Sequence, residues 1–154
     1  MSLKTNAVEK NIRNVENFLN SVWDWGFTND CFPYGMRISD VDGIFERYGY
    51  FLVLETKHPK AEIPGGQRFM HEQLVRTGLF TVIYIWGENE QSIESIEVIS
   101  PKNWGKRGGI KTTGRIKSST NHFKTNLKLW YNRVENSSDK HGNFKPKSKN
   151  YKKY

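Results

Sequence analysis

The fold is decided by one stretch of sequence, residues 41–57, which read VDGIFERYGYFLVLETK. Strand-forming residues stand on both sides of the Tyr48-Gly49 pair, which is typical of a short turn. The stretch therefore predicts a β-hairpin. A two-residue turn pairs Arg47 with Tyr50, so the numbers of facing residues sum to 97.

This register also predicts where the charged side chains lie. Asp42 falls opposite Glu55, and Asp40 falls opposite Lys57. Alternate residues of a strand point to the same face, so we expect all four on one side of the sheet. Facing carboxylates destabilise a ladder unless something lies between them, and Mg²⁺ is commonly held by one or two carboxylates. The alternative is an exposed strand on which Asp40 and Lys57 form a surface ion pair worth under about 1 kcal/mol.

Lys57 stands beside the predicted metal site rather than within it. A lysine in that place can hold and help deprotonate an attacking water, and it can stabilise charge on a phosphate. A bound cation polarises a phosphoryl oxygen and lowers the pKa of its water. Asp42, Glu55 and Lys57 together therefore point to phosphodiester hydrolysis.

Helix and strand patterns alternate along the rest of the chain. Helices are expected at about residues 6–26, 66–77 and 121–135, with strands at 79–86 and, as an edge strand, 93–99. Residues 101–118 are rich in Gly, Lys and Arg and are expected to form an exposed loop or a mobile ribbon. The pattern predicts an α/β domain over residues 1–136, with a mixed sheet flanked by helices. Residues 137–154 form a basic tail whose composition predicts disorder.

Charge is segregated along the chain. Residues 1–97 carry nine Lys/Arg and fourteen Asp/Glu, whereas residues 98–154 carry fifteen and two. Such asymmetry favours a polyanionic partner, and duplex DNA is the obvious candidate. The alternative is a basic surface kept for solubility. The residues expected to bind nucleic acid are Lys102, Lys106, Arg107, Lys111, Arg115 and Lys117.

The composition also bears on the compartment. Cys31 is the only cysteine, so neither an internal disulfide nor a cysteine-based zinc site is expected. No apolar run is long enough to cross a bilayer, and residues 1–30 lack the pattern of a secretory signal. A cytoplasmic protein without membrane contact is expected. The Asn- and Lys-rich composition hints at a phage or mobile element as the source.

The runs at residues 41–45 and 51–57 resemble the PD-(D/E)XK nuclease superfamily, which has the restriction-endonuclease-like fold. The pattern is most similar to those of the archaeal Holliday-junction resolvases and the VRR-NUC-type nucleases. The resemblance covers roughly residues 6–86, and it implies an α-β-β-β-α-β core followed here by a basic C-terminal extension. The proline that names the superfamily is absent.

The resemblance also implies site residues. A glutamate of the first helix, matched by Glu9, would join Asp42 and Glu55 in holding Mg²⁺ or Mn²⁺. Glu55 and Lys57 match the (D/E)-x-K pair, and Gln67 matches a glutamine that opens the next helix. An alternative alignment places the metal-binding aspartate at Asp40, so that choice stays open.

The function expected from the sequence is metal-dependent endonucleolytic cleavage of DNA, with branched or structured DNA as a candidate substrate. The alternative is a non-catalytic nucleic-acid-binding protein on the same fold. Resolvase-like enzymes are dimers, so the resemblance favours a homodimer.

Overall fold

The structure is a computed structural model that describes residues 24–137. The chain divides between Asp40 and Val41 into two compact units, where the sequence predicted one domain. The described part of the first unit contains two short 3-10 helices, Trp25–Thr28 and Pro33–Gly35. The helix predicted over residues 6–26 and the basic tail lie almost wholly outside the described residues.

The second unit contains a six-stranded mixed sheet and two helices, so the predicted α/β class with a mixed sheet is confirmed. The strands follow the order β1-β2-β3-β4-β5, and β6 also pairs with β4. β2 and β3 are parallel, and every other pairing is antiparallel. The elements are β1 (Gly43–Arg47), β2 (Tyr50–Lys57), α1 (Gly65–Arg76), β3 (Phe80–Gly87), β4 (Ile93–Pro101), β5 (Ile110–Thr112), β6 (Ile116–Lys117) and α2 (Thr120–Ser137).

The β1–β2 hairpin forms with the predicted register, from Arg47 opposite Tyr50 to Gly43 opposite Leu54. Tyr48 and Gly49 both have positive φ angles, 53° and 78°. Positive φ at both central residues is the backbone of the turn that matches the twist of a hairpin. The ladder ends at Gly43, so β1 is shorter than the sequence predicted.

The sheet buries side chains on both faces, as the apolar run at residues 52–54 predicted for β2. On the α2 face the buried core consists of Tyr50, Leu52, Ile83, Ile85, Ile96, Trp130 and Val134. On the α1 face it consists of Val53, Val75, Val82, Tyr84, Trp86 and Ile99. Apolar burial on this scale stabilises by roughly 25 cal/mol per Å² removed from water. The two helices therefore fix both faces of the strand that carries Glu55.

Helix α1 connects the parallel strands β2 and β3, and its bounds agree closely with the prediction. Gly78 lies just after its end with a φ of 85°, as the predicted C-terminal glycine should. A Cβ at Gly78 would collide with the main chain of Lys106, so close approach also requires glycine there. Helix α2 likewise confirms the predicted last helix. No helix in residues 24–137 is long and apolar enough to cross a membrane.

Two predictions about the second half of the sheet were wrong. β4 is not an edge strand, because β3 pairs with one of its sides while β5 and β6 pair with the other. Residues 101–118 are not wholly loop, because they contain β5 and β6. The main-chain donors and acceptors of β4 need hydrogen-bond partners, and β5 and β6 provide them. Residues 110, 112 and 116 are β-branched, which favours strands at these positions.

Candidate active site

A row of polar side chains crosses the sheet beneath α1. Glu55 is paired in register with Tyr84, and Tyr84 with Glu97, so the three stand side by side on β2, β3 and β4. Each is hydrogen-bonded to a different residue of α1. Glu55 and Glu97 are both only 5% exposed. Burying two carboxylates this deeply is costly unless their oxygens have partners.

The first cluster of the row consists of Glu55, Lys57 and Gln67. Glu55 Oε1 accepts hydrogen bonds from Lys57 Nζ at 2.8 Å and from Gln67 Nε2 at 2.7 Å. Glu55 Oε2 and Gln67 Oε1 are buried and have no hydrogen-bond partner within the described part of the chain. A buried oxygen left in that state costs about 1–3 kcal/mol. The cluster therefore holds two oxygens suited to a cation or a water.

The second cluster consists of Glu97, Arg68, Thr112 and Glu72. Arg68 donates to both oxygens of Glu97, at 2.7 and 3.0 Å, and Thr112 Oγ1 adds a bond of 2.6 Å. Arg68 Nε also donates to Glu72 at 3.0 Å. Burial alone would raise the pKa of Glu97, but the bonds from Arg68 and Thr112 and the Arg68 charge outweigh it and lower that pKa. Every carboxylate oxygen of Glu97 is thus satisfied.

His71 and Tyr84 lie between the two clusters. His71 Nδ1 is 2.8 Å from the Tyr84 hydroxyl, and both side chains are buried. Burial lowers the pKa of His71 and raises that of Tyr84. Both groups are therefore neutral at neutral pH. The charges of Glu55 and Lys57 also act on His71, in opposite directions.

Asp42 is not placed as predicted. Its Oδ2 accepts hydrogen bonds from the Thr56 main-chain N at 2.7 Å and from Thr56 Oγ1 at 2.6 Å. Because the β1–β2 ladder ends at Gly43, Asp42 does not stand opposite Glu55 within the sheet, and the side chain of Thr56 alternates to the other face. The expected carboxylate pair facing across the ladder is therefore not formed. Asp42 lines a cleft of about 440 Å³ together with Lys57 and Glu88.

Of the other two predicted metal ligands, the structure describes only Asp40. Asp40 is exposed and belongs to the first unit, outside any strand, so the predicted ladder pair with Lys57 is not formed; Lys57 pairs with Glu55 instead. Glu9 lies outside the described residues. Between residues 24 and 137, no three His, Cys, Asp or Glu side chains are grouped so as to hold a metal ion. Glu55 Oε2 and Gln67 Oε1 are a carboxylate and an amide oxygen, and such oxygens are the ligand types that hard divalent cations accept.

The predicted nucleic-acid residues divide between the two ends of the sheet. At the end that carries Lys57, the register runs from Lys57 through Trp86 and Ser95 to Lys117. Arg115 at this end donates to Ser95 Oγ at 2.7 Å and to the Pro59 carbonyl at 2.8 Å. Its guanidinium also lies 4.3 Å from the Trp86 ring centroid, so Arg115 is engaged in the fold itself.

The remaining four predicted contacts, at positions 102, 106, 107 and 111, lie at the other end. Lys111 is on β5 opposite Ser100, and the other three are in the loop between β4 and β5. All four side chains are exposed. Trp104 of that loop packs against Tyr50, with 5.3 Å between the ring centroids.

Sequence reasoning missed the second cluster and the His71–Tyr84 pair. The spacing of Arg68 and Glu72 is typical of a helical ion pair and was available as a signal. Glu97, by contrast, stands in a strand pattern among exposed acids. Its contact with Arg68 depends on how α1 lies across the sheet, which no local pattern shows.

Comparison of the chain with family models, with curated proteins and with solved structures finds no match. The chemistry of the site therefore rests on the residues themselves.

Proposed function

We propose that this chain is a divalent-metal-dependent DNA endonuclease with a restriction-endonuclease-like fold. The observation that carries the proposal is the cluster of Glu55, Lys57 and Gln67. It joins a buried acid, a lysine and two unsatisfied oxygens at the carboxyl end of a central strand. These two oxygens, buried beside a lysine, are available to a cation or to a water.

The order of elements supports the same proposal. The β1–β2 hairpin is followed by α1, which crosses over the sheet, and β3 then runs parallel to β2. In this arrangement Glu55 and Lys57 share one face of β2, and α1 brings Gln67 over that face. The implied α-β-β-β-α-β core thus has counterparts for its last four elements, whereas only two strands, not three, precede α1 among the described residues.

Mg²⁺ or Mn²⁺ would be held by Glu55 Oε2 and Gln67 Oε1, with Glu9 and either Asp42 or Asp40 as further ligands. When bound, such an ion polarises a phosphoryl oxygen and lowers the pKa of a bound water. For Asp42 to take part, its carboxylate must exchange its bonds to Thr56 for a place nearer Glu55.

Lys57 is placed to act on the attacking water and the phosphate. Its ammonium has three N–H donors, and the bond to Glu55 uses one of them. The remaining donors can hold a water and stabilise negative charge on the phosphate. Water oxygen forms a bond to phosphorus as one of the water's protons passes to solvent, the bond to the leaving oxygen breaks, and that oxygen departs with a proton taken from solvent.

The basic residues supply the reason to propose DNA as the substrate. Residues 98–134 contain no acid, and several of their cations are exposed at both ends of the sheet. Branched DNA and a homodimer are part of the proposal on the strength of the resolvase resemblance alone.

A cleavage assay on DNA of several shapes tests the proposal. Linear duplex, single-stranded, flapped and four-way-junction DNA are incubated with Mg²⁺ or Mn²⁺, and with EDTA. We expect strand cleavage that requires the metal and is lost in Glu55→Ala. Glu62→Gln, which removes an exposed acid outside the cluster, serves as the matched control and should cleave normally.

Two further variants decide between the aspartates. Loss of cleavage in Asp42→Ala with retention in Asp40→Ala would select Asp42 as the ligand, and the reverse would select Asp40. Binding of DNA without cleavage in any metal would instead favour the non-catalytic binding protein. Cleavage by Glu55→Ala at the wild-type rate would remove the proposed site.

A further inference from the structure

The loop between β4 and β5, residues 102–109, forms a basic surface remote from the Glu55 cluster. We call it the end-cap loop, because it closes the end of the sheet where β3 begins. Lys102, Lys106 and Arg107 carry its charge, and all three are exposed. Within residues 24–137, none of these three cations forms an ion pair with an acid.

The end-cap loop is fixed to the fold by its main chain. Gly105 N donates to the Gly78 carbonyl and Gly108 N to the Arg76 carbonyl, each at 2.9 Å. The loop is closed on itself by a bond of 2.9 Å from Lys102 N to the Gly109 carbonyl. These hydrogen bonds order the backbone of the loop that carries the three cations. Less conformational entropy is lost when such a surface binds a ligand.

The ring of Trp104 anchors the same loop on the α2 side of the sheet. It lies 5.3 Å from the Tyr50 ring and 6.5 Å from the Trp130 ring, measured between centroids. A loop needed only as a connection would not require a tryptophan set among core aromatics. The three cations therefore belong to a loop that is packed against the core.

The distance between the end-cap loop and the Glu55 cluster follows from the strand register. Lys57 is level with Ser95 near the start of β4, and the end-cap loop begins after Pro101. Six residues of strand, at about 3.3 Å each, span roughly 20 Å. Duplex DNA carries one charge per 1.7 Å of axis, or 3.4 Å per strand, so this distance corresponds to about six base pairs.

We infer that the end-cap loop is a second contact for the phosphate backbone of a continuous DNA duplex whose scissile phosphate lies at the Glu55 cluster. This inference rests on the proposed function for the role of the first contact. A stiff duplex presents phosphates to both ends of the sheet at once, whereas a nucleotide or a very short duplex reaches only one. The substrate class is therefore duplex DNA longer than about six base pairs.

Binding measured against stem length and salt tests this inference without any need for cleavage. DNA hairpins with stems of about 5 and about 20 base pairs are titrated in EDTA, with a 20-nucleotide single strand as a further arm. Lys102→Ala/Lys106→Ala is compared with Lys124→Ala/Lys128→Ala. The second pair removes the same charge from exposed positions on α2, across the sheet from Lys57. Melting temperatures verify that both variants fold.

For the long stem, we expect the end-cap variant to bind more weakly and to depend less on salt. Two lost phosphate contacts lower the slope of log affinity against log salt by about 1.8. Wild type should therefore lose about tenfold more affinity than this variant between 50 and 200 mM salt. The α2 variant should keep the wild-type slope, and all three proteins should bind the short stem alike.

Equal losses in the two double variants would overturn the inference, as would equal binding of short and long stems by wild type. A preference for the single strand over the long stem, or the absence of DNA binding, would also overturn it. If length-dependent binding is found and no metal supports cleavage, the proposed function fails while the second contact stands.

Discussion

Glu55 on β2 and Glu97 on β4 are equally buried acids of one row, with β3 between them, yet their surroundings differ. Glu97 has both oxygens bonded, by Arg68 and Thr112, and nothing is left to bind a ligand. Glu55 shares one oxygen between Lys57 and Gln67, and its other oxygen has no partner among the described residues. Both acids are hydrogen-bonded to α1, so the difference between them is the one Glu55 oxygen that has no partner among the described residues.

The comparison also shows why burial alone does not identify a working residue. A buried ion pair with every atom satisfied is common in stable proteins, and breaking it is expensive. An acid with an oxygen that has no protein partner can accept a bond from a ligand or a water at that oxygen. Activity should therefore depend on the Glu55 cluster, and the free energy of unfolding on the Glu97 cluster.

The largest expected effect is on catalysis. Lys57→Met removes the ammonium while keeping much of the side chain, so we expect the cleavage rate to fall by about 10³-fold, as for loss of a group that stabilises transition-state charge. The free energy of unfolding should also fall, by about 1–3 kcal/mol, since the lysine side chain is only 15% exposed and its loss leaves the buried Glu55 carboxylate with one donor fewer. Single-turnover cleavage and chemical denaturation measure the two quantities. Normal cleavage by Lys57→Met would contradict the proposal that activity depends on the Glu55 cluster.

Next in size is the effect of Glu97→Gln on stability. This change removes the charged group that accepts two bonds from the partly buried Arg68, which keeps its bond to Glu72, so we expect the free energy of unfolding to fall by about 2–3 kcal/mol. Cleavage per folded molecule should stay within a few-fold of wild type. Urea unfolding followed by fluorescence gives the first value. A large loss of cleavage with unchanged stability would reverse the roles assigned to the two glutamates.

A smaller effect is expected from Tyr84→Phe, between the clusters. It removes the hydroxyl that contacts His71 Nδ1 and retains the ring that packs against Trp86. The loss should be about 1 kcal/mol of unfolding free energy, the usual net contribution of one hydrogen bond. Unfolding of Tyr84→Phe beside wild type measures it. A loss above about 3 kcal/mol would mean that the row behaves as one unit, not as two clusters.

The smallest effect is a pH dependence of stability from His71. Burial lowers its pKa in the folded state below the ordinary 6.5, so the unfolded chain binds a proton more readily. The corresponding stability is fully present above pH 6.5 and is lost as the pH falls from there towards the lowered pKa. Unfolding free energies measured from pH 7.5 down to 5 should decline in wild type. The decline should be shallower in His71→Gln, and an unchanged slope would exclude His71 as its cause.

Local patterns were enough to predict the hairpin, the crossover helix and the last helix. The Tyr48-Gly49 turn fixed the register, because two residues with positive φ leave few other pairings. Gly78 marked the end of α1 for the same conformational reason. These features depend on residues close together in sequence.

Features that depend on tertiary placement were not predictable in the same way. Asp42 lies one residue beyond the end of the ladder. Its carboxylate accepts hydrogen bonds from the main-chain N and the hydroxyl of Thr56, and it therefore does not occupy the predicted position. The pairing of β5 and β6 with β4 also escaped prediction, because short strands leave a weak signal. Glu9 lies outside the described residues, so its place in the site stays a prediction.

Manganese binding by wild type, Glu55→Gln and Glu97→Gln tests the central claim most directly. Thermal unfolding is measured with increasing Mn²⁺, since a ligand at 100 times its Kd stabilises the folded state by about 2.7 kcal/mol. We expect Mn²⁺ to raise the Tm of wild type and of Glu97→Gln, each from its own starting value, but not that of Glu55→Gln. An equal rise in Glu55→Gln, or no rise in wild type, would contradict the assignment of Glu55 as the acid that holds the metal.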